Sequence, residues 1–314
     1  MYKIKLLTLS FFMVASLLSG CNTKNSDYSI ELIVKGAATE FWLSVYEGAK
    51  AAAIIYETDL TYFGPEEEKD YEEQVKILEE SIVRKPSAIM LAAGEFNLMA
   101  EPMEQAISAG IPVIMVDSAI NSDKWISFVS TDNVEAGNRL AAELLKRVNK
   151  PGAIGVISFV QAAYPSADRE TGFLSGMEGS GYKILDTVFC DSNIDTAKAL
   201  AEDMIDRYPE LVAIAGLNAQ SATGAARAIE ALERSDIILV GIDCTVEEAN
   251  YMEAGILDVA ILQNPFMMGY YAVETTIKHL SGKRVEKNIR TDTYVVDRFN
   301  LFSEQNQQLI FPFH

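Results

Sequence analysis

From residue 28 onward, short β-rich runs alternate with helix-period segments almost without interruption, and nothing else in the chain restricts the fold as strongly. The strand-like runs are Ile30–Lys35, Leu60–Phe63, Ala88–Ala92, Pro112–Val116, Ile126–Val129, Ala153–Phe159, Ile184–Phe189, Val212–Leu217, Ile237–Ile242, Val259–Leu262 and Tyr294–Val296. Helical spacing fits Gln74–Arg84, Leu98–Ala109, Val134–Val148, Thr196–Tyr208 and Ser221–Arg234 between them. Many of the strands are continuously apolar rather than alternating, as expected where both faces of a parallel sheet are covered. Such repetition predicts an α/β protein with right-handed crossovers. About five strands precede residue 132 and about five follow it, which favours two doubly wound, Rossmann-like lobes over one sheet. No Pro/Ser/Gly-rich linker parts the halves, so a close multi-strand hinge is expected, with "VSTDNVEAG" as one crossing.

The first twenty residues follow another logic. Lys3 and Lys5 precede an apolar run from Leu6 to Leu18, short for a membrane span but suited to a signal peptide. The run ends in Leu18-Ser19-Gly20-Cys21 and then turns polar. Small residues before a cysteine resemble the lipobox of bacterial lipoproteins, in which that cysteine is acylated. Residues 1–20 are therefore expected to be a leader, 21–27 a tether and Cys21 the lipidated residue. The mature protein would be exported and anchored on the outer face of the cytoplasmic membrane, or lie in the periplasm. Without Lys3 and Lys5 the net charge falls from −19 to −21. So acidic a surface repels phosphate backbones and argues against a nucleic-acid partner. The run "GPEEEKDYEEQ" reads as a solvated helix start. Cys190 and Cys244 remain, far apart in sequence; export permits a bridge between them, but two separate buried thiols are the simpler expectation.

In open α/β sheets, ligands gather beyond the carboxyl ends of the strands. Residues expected there form one chemical set: Thr39, Phe41 and Trp42 after the first strand, Asp117 after "IPVIMV", Arg169 after "AIGVISF", Asn218 after "VAIAGL", Asp243 after "IILVGI" and Gln263 after "DVAIL". Carboxylates accept, guanidinium donates, and amides do both, which is what a neutral polyol requires. Rings cover the apolar C–H faces of a sugar. Each residue also has a plainer reading: Asp117, Asp243 and Asn218 as helix or turn caps, Arg169 as a surface ion pair with Asp168 or Glu170, Gln263 as a strand-end amide. Projected on a helix, Val45, Ala49, Ala52 and Tyr56 form a stripe flanked by Phe41 and Trp42. Trp42 lies further from its centre and is the ring expected nearer the ligand, with Phe41 shared between wall and core. Phe159, Tyr164 and Glu95 sit on loops that also face the cleft by pattern. Cys244 is read as a packed thiol and Trp125 as packing near the lobe crossing.

At these residues the chain resembles the type I periplasmic binding proteins, of the ribose- and galactose-binding group of ABC-transporter receptors. "TEFWLSVYEGAK", "AGIPVIMVDS", "ISFVSTDNVEAGNRLAAELL", "ADRETGF", "GLNAQSATGAARAI" and "VGIDCTVEEANYMEAGILDVAILQNPFMMGYYAVE" are similar to the family's ligand loops and crossings, in order. The resemblance implies residues 28–131 with 265–290 in one lobe, and 132–264 with 291–314 in the other. It also implies that Phe41 and Trp42 sandwich a sugar whose hydroxyls bond to Asp117, Arg169, Asn218, Asp243 and Gln263. Two positions depart from the family: Thr39 replaces an asparagine, and Ser118 replaces the arginine after the first aspartate. Both should bear on which sugar is preferred. The implied function is capture of a monosaccharide or sugar-like ligand by a monomer without cofactor or metal, and delivery to a permease and its ATPase. A sensing role, with presentation to a histidine kinase or chemoreceptor, is the alternative.

Catalysis has little footing. Only His279 and His314 are present, and no phosphate-cradling glycine loop follows a strand. Asp117 and Asp243 can be read as the acid/base pair of a glycosidase, but the division of the sugar-binding groups between two lobes stands against it. A related DNA-binding regulator would need a helix-turn-helix where this chain carries its export signal.

Overall fold

The structure is a computed structural model and describes residues 27–311; Cys21 and the leader lie outside them. In chain order the first half comprises β1 (Ser29–Ile33), α1 (Glu40–Ile55), β2 (Asp59–Phe63), α2 (Tyr71–Arg84), β3 (Ala88–Leu91), α3 (Ala100–Ser108), β4 (Val113–Val116) and β5 (Ser127–Thr131). The chain then continues through α4 (Asn133–Leu145), β6 (Ala153–Ser158), α5 (Tyr164–Met177), β7 (Lys183–Ile184), β8 (Val188–Phe189), α6 (Ile194–Arg207) and β9 (Leu211–Gly216). It closes with α7 (Ala219–Ala231), β10 (Ile238–Ile242), α8 (Val246–Ala254), β11 (Val259–Leu262), α9 (Pro265–Leu280), β12 (Asn288–Thr291), β13 (Tyr294–Val296) and α10 (Glu304–Ile310).

Two sheets result. The first runs β12-β5-β4-β3-β1-β2 with every pair parallel. The second runs β13-β11-β10-β9-β6-β7, with β8 also on β6 and only β13 antiparallel. Strand order reverses at β1/β3 in one and β6/β9 in the other, so each sheet has a switch point where a ligand crevice opens. The fold is thus two doubly wound α/β lobes, and the chain passes between the sheets after β5, after β11 and between β12 and β13.

The apolar runs explain the layers. In the first lobe, one sheet face packs Met90, Ile114 and Val116 against Trp42, Val45 and Ala49 of α1 and Met268 and Ala272 of α9. The other face packs Ile89, Leu91 and Met115 against Leu78 of α2 and Met99 and Met103. Central strands β3 and β4 are buried at every residue, whereas the edge strand β2 is only partly so. Two helix pairs cross with backbones nearly touching. A methyl group on Gly48 of α1 would lie 1.8 Å from the Phe266 carbonyl oxygen, and one on Gly269 of α9 1.9 Å from that of Val45. The second lobe repeats this at α4 and α5, where a methyl group on Gly137 would lie 2.2 Å from the Arg169 carbonyl oxygen and one on Gly172 2.0 Å from that of Val134. Only glycine permits such approach, and the second crossing holds Arg169 against α4.

Two strand expectations change. Ile184–Phe189 is broken into β7 and β8, because Asp186 and Thr187 interrupt it at the sheet edge. The strand β12, "NIRT", carried little apolar signal; it is an edge strand whose ladder to β5 forms through the backbone. Cys190 and Cys244 are both free and buried.

Candidate functional site

The carboxyl ends of both sheets face one cavity of about 150 Å³. The first lobe lines it with Lys35, Thr39, Phe41, Trp42, Glu68 and Asp117, and the second with Phe159, Arg169, Asn218, Asp243 and Gln263. Eight of the nine positions expected from sequence are brought together there. Ser118 is the ninth; it is fully buried behind Asp117 and is not part of the wall. The lobes also touch: Ser192 Oγ donates to Glu68 Oε2 at 2.8 Å, and the Phe96 amide donates to the Ala162 carbonyl at 3.1 Å. Phe96 stacks on Tyr164 beside that bond, with centroids 6.0 Å apart.

Asp117 and Asp243 occupy matching places, each the first residue beyond the fourth strand of its sheet order. Both have left-handed backbones, φ 59° and 75°, a conformation that a short polar side chain tolerates better than most. Each amide still reaches the neighbouring strand, Asp117 to the Val129 carbonyl and Asp243 to that of Ile261, both at 2.9 Å. The chain therefore turns sharply out of the sheet without losing a ladder bond, and the carboxylate faces the cleft. Neither caps a helix by its side chain, since Thr245 caps α8.

In the first lobe, Lys35 leaves the end of β1 and points inward. Its Nζ donates to Ser118 Oγ at 2.8 Å and lies 3.2 Å from Asp117 Oδ2, while Ser118 Oγ donates to the same carboxylate at 2.7 Å. Serine thus makes room for a lysine on another strand, and the loss of a cation expected at position 118 is offset. Lys35 also sits 5.6 Å from the centre of the Trp42 ring.

In the second lobe, Arg169 is buried and makes no surface ion pair. Its Nε donates to Asn133 Oδ1 at 2.9 Å, and its NH1 nitrogen donates to the Leu217 carbonyl at 2.8 Å and lies 3.8 Å from Asp243. Gln263 accepts from Thr131 Oγ1 at 2.7 Å and donates to Asp243 Oδ1 at 2.8 Å, so a hinge residue of β5 is wired to the site. Burial pushes the Asp243 carboxyl above its ordinary value; Arg169 and Gln263 oppose this, and the charges of Asp117 and Glu68 add to it. Asn218 is both cap and wall. Its Oδ1 accepts from the Ser221 amide at 2.9 Å to start α7, while its Nδ2 donates to Gln220 Oε1 at 2.7 Å and to Ser192 Oγ at 3.3 Å. Burial raises the thiol pKa of Cys190 to about 11 and also raises that of Cys244, so both stay protonated and unreactive.

Both rings line the cavity, but they differ in burial. Trp42 is 1% exposed and belongs to the core, with its Nε1 donating to Glu68 Oε1 at 3.0 Å. Phe41 is the more open ring, edge-on to Trp42 with centroids 5.0 Å apart. Thr39 precedes α1 without capping it, and its hydroxyl reaches only the Gly36 carbonyl at 3.4 Å. Of the loop residues expected near the cleft, Phe159 lines the cavity 5.4 Å beneath the Arg169 guanidinium, Tyr164 closes the lobes against Phe96, and Glu95 does not line it. Trp125 packs edge-on against Phe128.

Several lining residues escaped the sequence reading, and Lys35 and Glu68 are the two among them with polar bonds at the heart of the site. Lys35 is a lone lysine ending an apolar strand, a signal that could have been noticed. Glu68 lies in the acidic run taken for a helix start; α2 begins only at Tyr71, and Glu68 turns inward before it.

Comparison with known proteins gives three kinds of agreement. The model of the family described as periplasmic binding protein domain matches residues 30–284. A D-ribose/D-allose-binding protein of Pseudomonas aeruginosa is 26% identical over 266 residues, 82% of this chain and 83% of that one. Among solved structures, an ABC transporter solute-binding protein of Agrobacterium vitis bound with α-D-tagatopyranose superimposes with a TM-score of 0.87 at 28% identity, covering 90% of this chain and 99% of that one. A sugar transporter of Clostridium phytofermentans gives 0.80 at 36% identity, covering 86% and 98%.

Proposed function

The chain belongs to the periplasmic binding protein domain family, and on that premise we propose that it captures a monosaccharide or sugar-like ligand between two lobes and delivers it to an ABC permease. The observation that carries this reading is convergence: Asp117 and Lys35 from one lobe, and Asp243, Arg169, Asn218 and Gln263 from the other, meet on a single cavity of about 150 Å³ beside Phe41. That is far smaller than the ~300–1,000 Å³ of a drug-sized pocket, and it suits one ring. Ligand hydroxyls would donate to the two aspartates and accept from Lys35, Arg169 and the amides. Bonds to charged groups contribute about 1.5–3 kcal/mol each. Because the donors and acceptors are divided between lobes, ligand favours the closed state by the contacts that only closure completes.

The sites carried over from the resemblance, Thr39, Phe41, Trp42, Asp117, Arg169, Asn218, Asp243 and Gln263, are assigned as ligand-binding on their place in this wall, with Ser118 acting through Lys35 and Asp117. We assign residues 28–131 and 265–290 to one lobe and 132–264 and 291–314 to the other; the strand membership of the two sheets supports this division except at Thr291, which pairs with Thr131 in the first sheet. The protein is read as a monomeric, non-catalytic lipoprotein; its one described histidine, His279, lies in the last turn of α9. Anchoring by Cys21 predicts that Cys21→Ala releases the protein from the membrane fraction into the soluble one.

A thermal-shift screen of the mature protein against pentoses, hexoses and polyols tests the reading. Stabilisation by at least one sugar is expected; a flat response to all of them with a hit among amino acids or peptides would overturn it.

A further inference from the structure

The charges of the cavity do not balance. Its wall holds two cations, Lys35 and Arg169, against four carboxylates, Glu40, Glu68, Asp117 and Asp243. Lys35 lies 3.2 Å from Asp117 and Arg169 lies 3.8 Å from Asp243, so both cations are engaged with aspartates. Glu40 is exposed in the first turn of α1, where water and the helix N-terminus accommodate it. Glu68 is different. It is partly buried, and its hydrogen-bond partners among the described residues are neutral: Trp42 Nε1 on Oε1 at 3.0 Å and Ser192 Oγ on Oε2 at 2.8 Å.

Those two bonds hold the carboxylate rigidly from opposite sides of the cleft. Trp42 is a core residue and cannot swing away. Ser192 follows Asp191 in a turn where both have left-handed backbones, φ 51° and 52°, and its hydroxyl also accepts from Asn218 Nδ2 at 3.3 Å. Each carboxylate oxygen has two acceptor sites and uses one, so Glu68 retains acceptor capacity toward the cavity it lines. Its charge also reaches across the cleft, for it helps to raise the Asp243 carboxyl.

We propose that Glu68 is a specificity-determining residue of the cleft, which selects ligands presenting a hydroxyl or ammonium donor and rejects anionic sugars such as uronates and sugar phosphates. The inference deepens the sugar-receptor reading and rests on it. A fixed carboxylate without a cation repels a second anion in a desolvated space, where no counter-charge is left to accept it. A neutral sugar satisfies it with a hydroxyl, and an amino sugar does so with charge assistance.

The test compares wild type, Glu68→Gln and Ser192→Ala by titration calorimetry. The probes are the neutral sugar found by screening, the amino sugar and the uronate of the same ring. Wild type should bind the neutral sugar and prefer it over the uronate by at least a hundredfold. Glu68→Gln keeps the shape and an acceptor but removes the charge, and should shrink that preference at least tenfold while weakening the amino sugar relative to the neutral one. Ser192→Ala removes the cross-lobe bond but not the charge, and should shift all ligands alike, leaving the ratios within twofold of wild type. If Glu68→Gln leaves the neutral-to-uronate ratio as it is in wild type, or if Ser192→Ala changes it as much as Glu68→Gln does, Glu68 is a latch and not a selector. Binding of the neutral sugar with unchanged ratios overturns this inference alone. Absence of any sugar binding to wild type removes the receptor reading, and this inference with it.

Discussion

The two lobes share a strand order and place an aspartate at the same point of each sheet, yet they hold that aspartate in different ways. Asp117 is paired with Lys35, a cation whose polar partners among the described residues are that carboxylate and Ser118. Asp243 faces an arginine already bonded to Asn133 and to the Leu217 carbonyl, and is itself bonded to Gln263. The first half of the site is a closed ion pair; the second is a network in which each member has a spare partner. Symmetry of topology therefore does not impose symmetry of energetics. The first lobe depends on one contact, and the second distributes the load.

Removing each aspartate gives the strongest contrast. Asp117→Ala leaves the buried Lys35 ammonium without its counter-charge and should destabilise the fold by about 3–5 kcal/mol. Asp243→Ala leaves Arg169 with two acceptors, and should cost about 1–2 kcal/mol. Urea unfolding of the two variants measures the difference; equal losses would mean that the lobes do not differ in this way.

The rings sharpen the comparison within the first lobe. Trp42→Ala opens a core cavity and removes the donor to Glu68, for a loss of stability of about 3–5 kcal/mol. Phe41→Ala removes the more open ring and should act chiefly on the ligand, weakening sugar binding about tenfold, or about 1.4 kcal/mol. Thermal melts and calorimetry on the same pair of variants separate the two roles. A Trp42 variant with wild-type stability would contradict the core role of that ring.

The smallest expected effect is in pH. Burial raises the Asp243 carboxyl, so in acid the folded protein takes up this proton before the unfolded chain does. The sign follows: between the raised value and that of an ordinary aspartate, this group makes the fold more stable as pH falls and less stable as pH rises. Ligand binding moves the other way, since a protonated Asp243 loses its attraction for Arg169 and some of its acceptor capacity. Affinity should fall severalfold as pH drops through the window, and Asp243→Asn should abolish that dependence. A wild-type affinity that is flat in mildly acidic solution would contradict the assignment.

Much of this was legible in the sequence because parallel strands buried on both faces write continuous apolar runs. Their ends then mark where Asp117, Asn218, Asp243 and Gln263 must stand. What was not legible depends on direction and on partners. Helical projection places Phe41 and Trp42 around a stripe, but it carries no information on Glu68, whose carboxylate holds the indole in the core. Ser118 reads as the loss of a cation until Lys35, eighty-three positions earlier in the chain, is seen to supply one. Asn218 reads from sequence as a cap or a ligand, and it has atoms for both: its oxygen starts α7 while its NH₂ faces Ser192 and Gln220. The strand β12 left little trace because Ile289 is its one apolar residue; its ladder to β5 and the Arg290 side chain, which donates to Ser130 Oγ and the Thr131 carbonyl, hold it in place.

In the proposed mode of binding, both lobes grip one ligand at once. Titration calorimetry of wild type, Asp117→Asn and Asp243→Asn with the sugar found by screening tests it most directly, because these substitutions keep the shape of each wall. Wild type should bind one sugar per chain, and each variant should lose at least tenfold in affinity. If either variant binds as tightly as wild type, a single lobe holds the ligand and the claim fails.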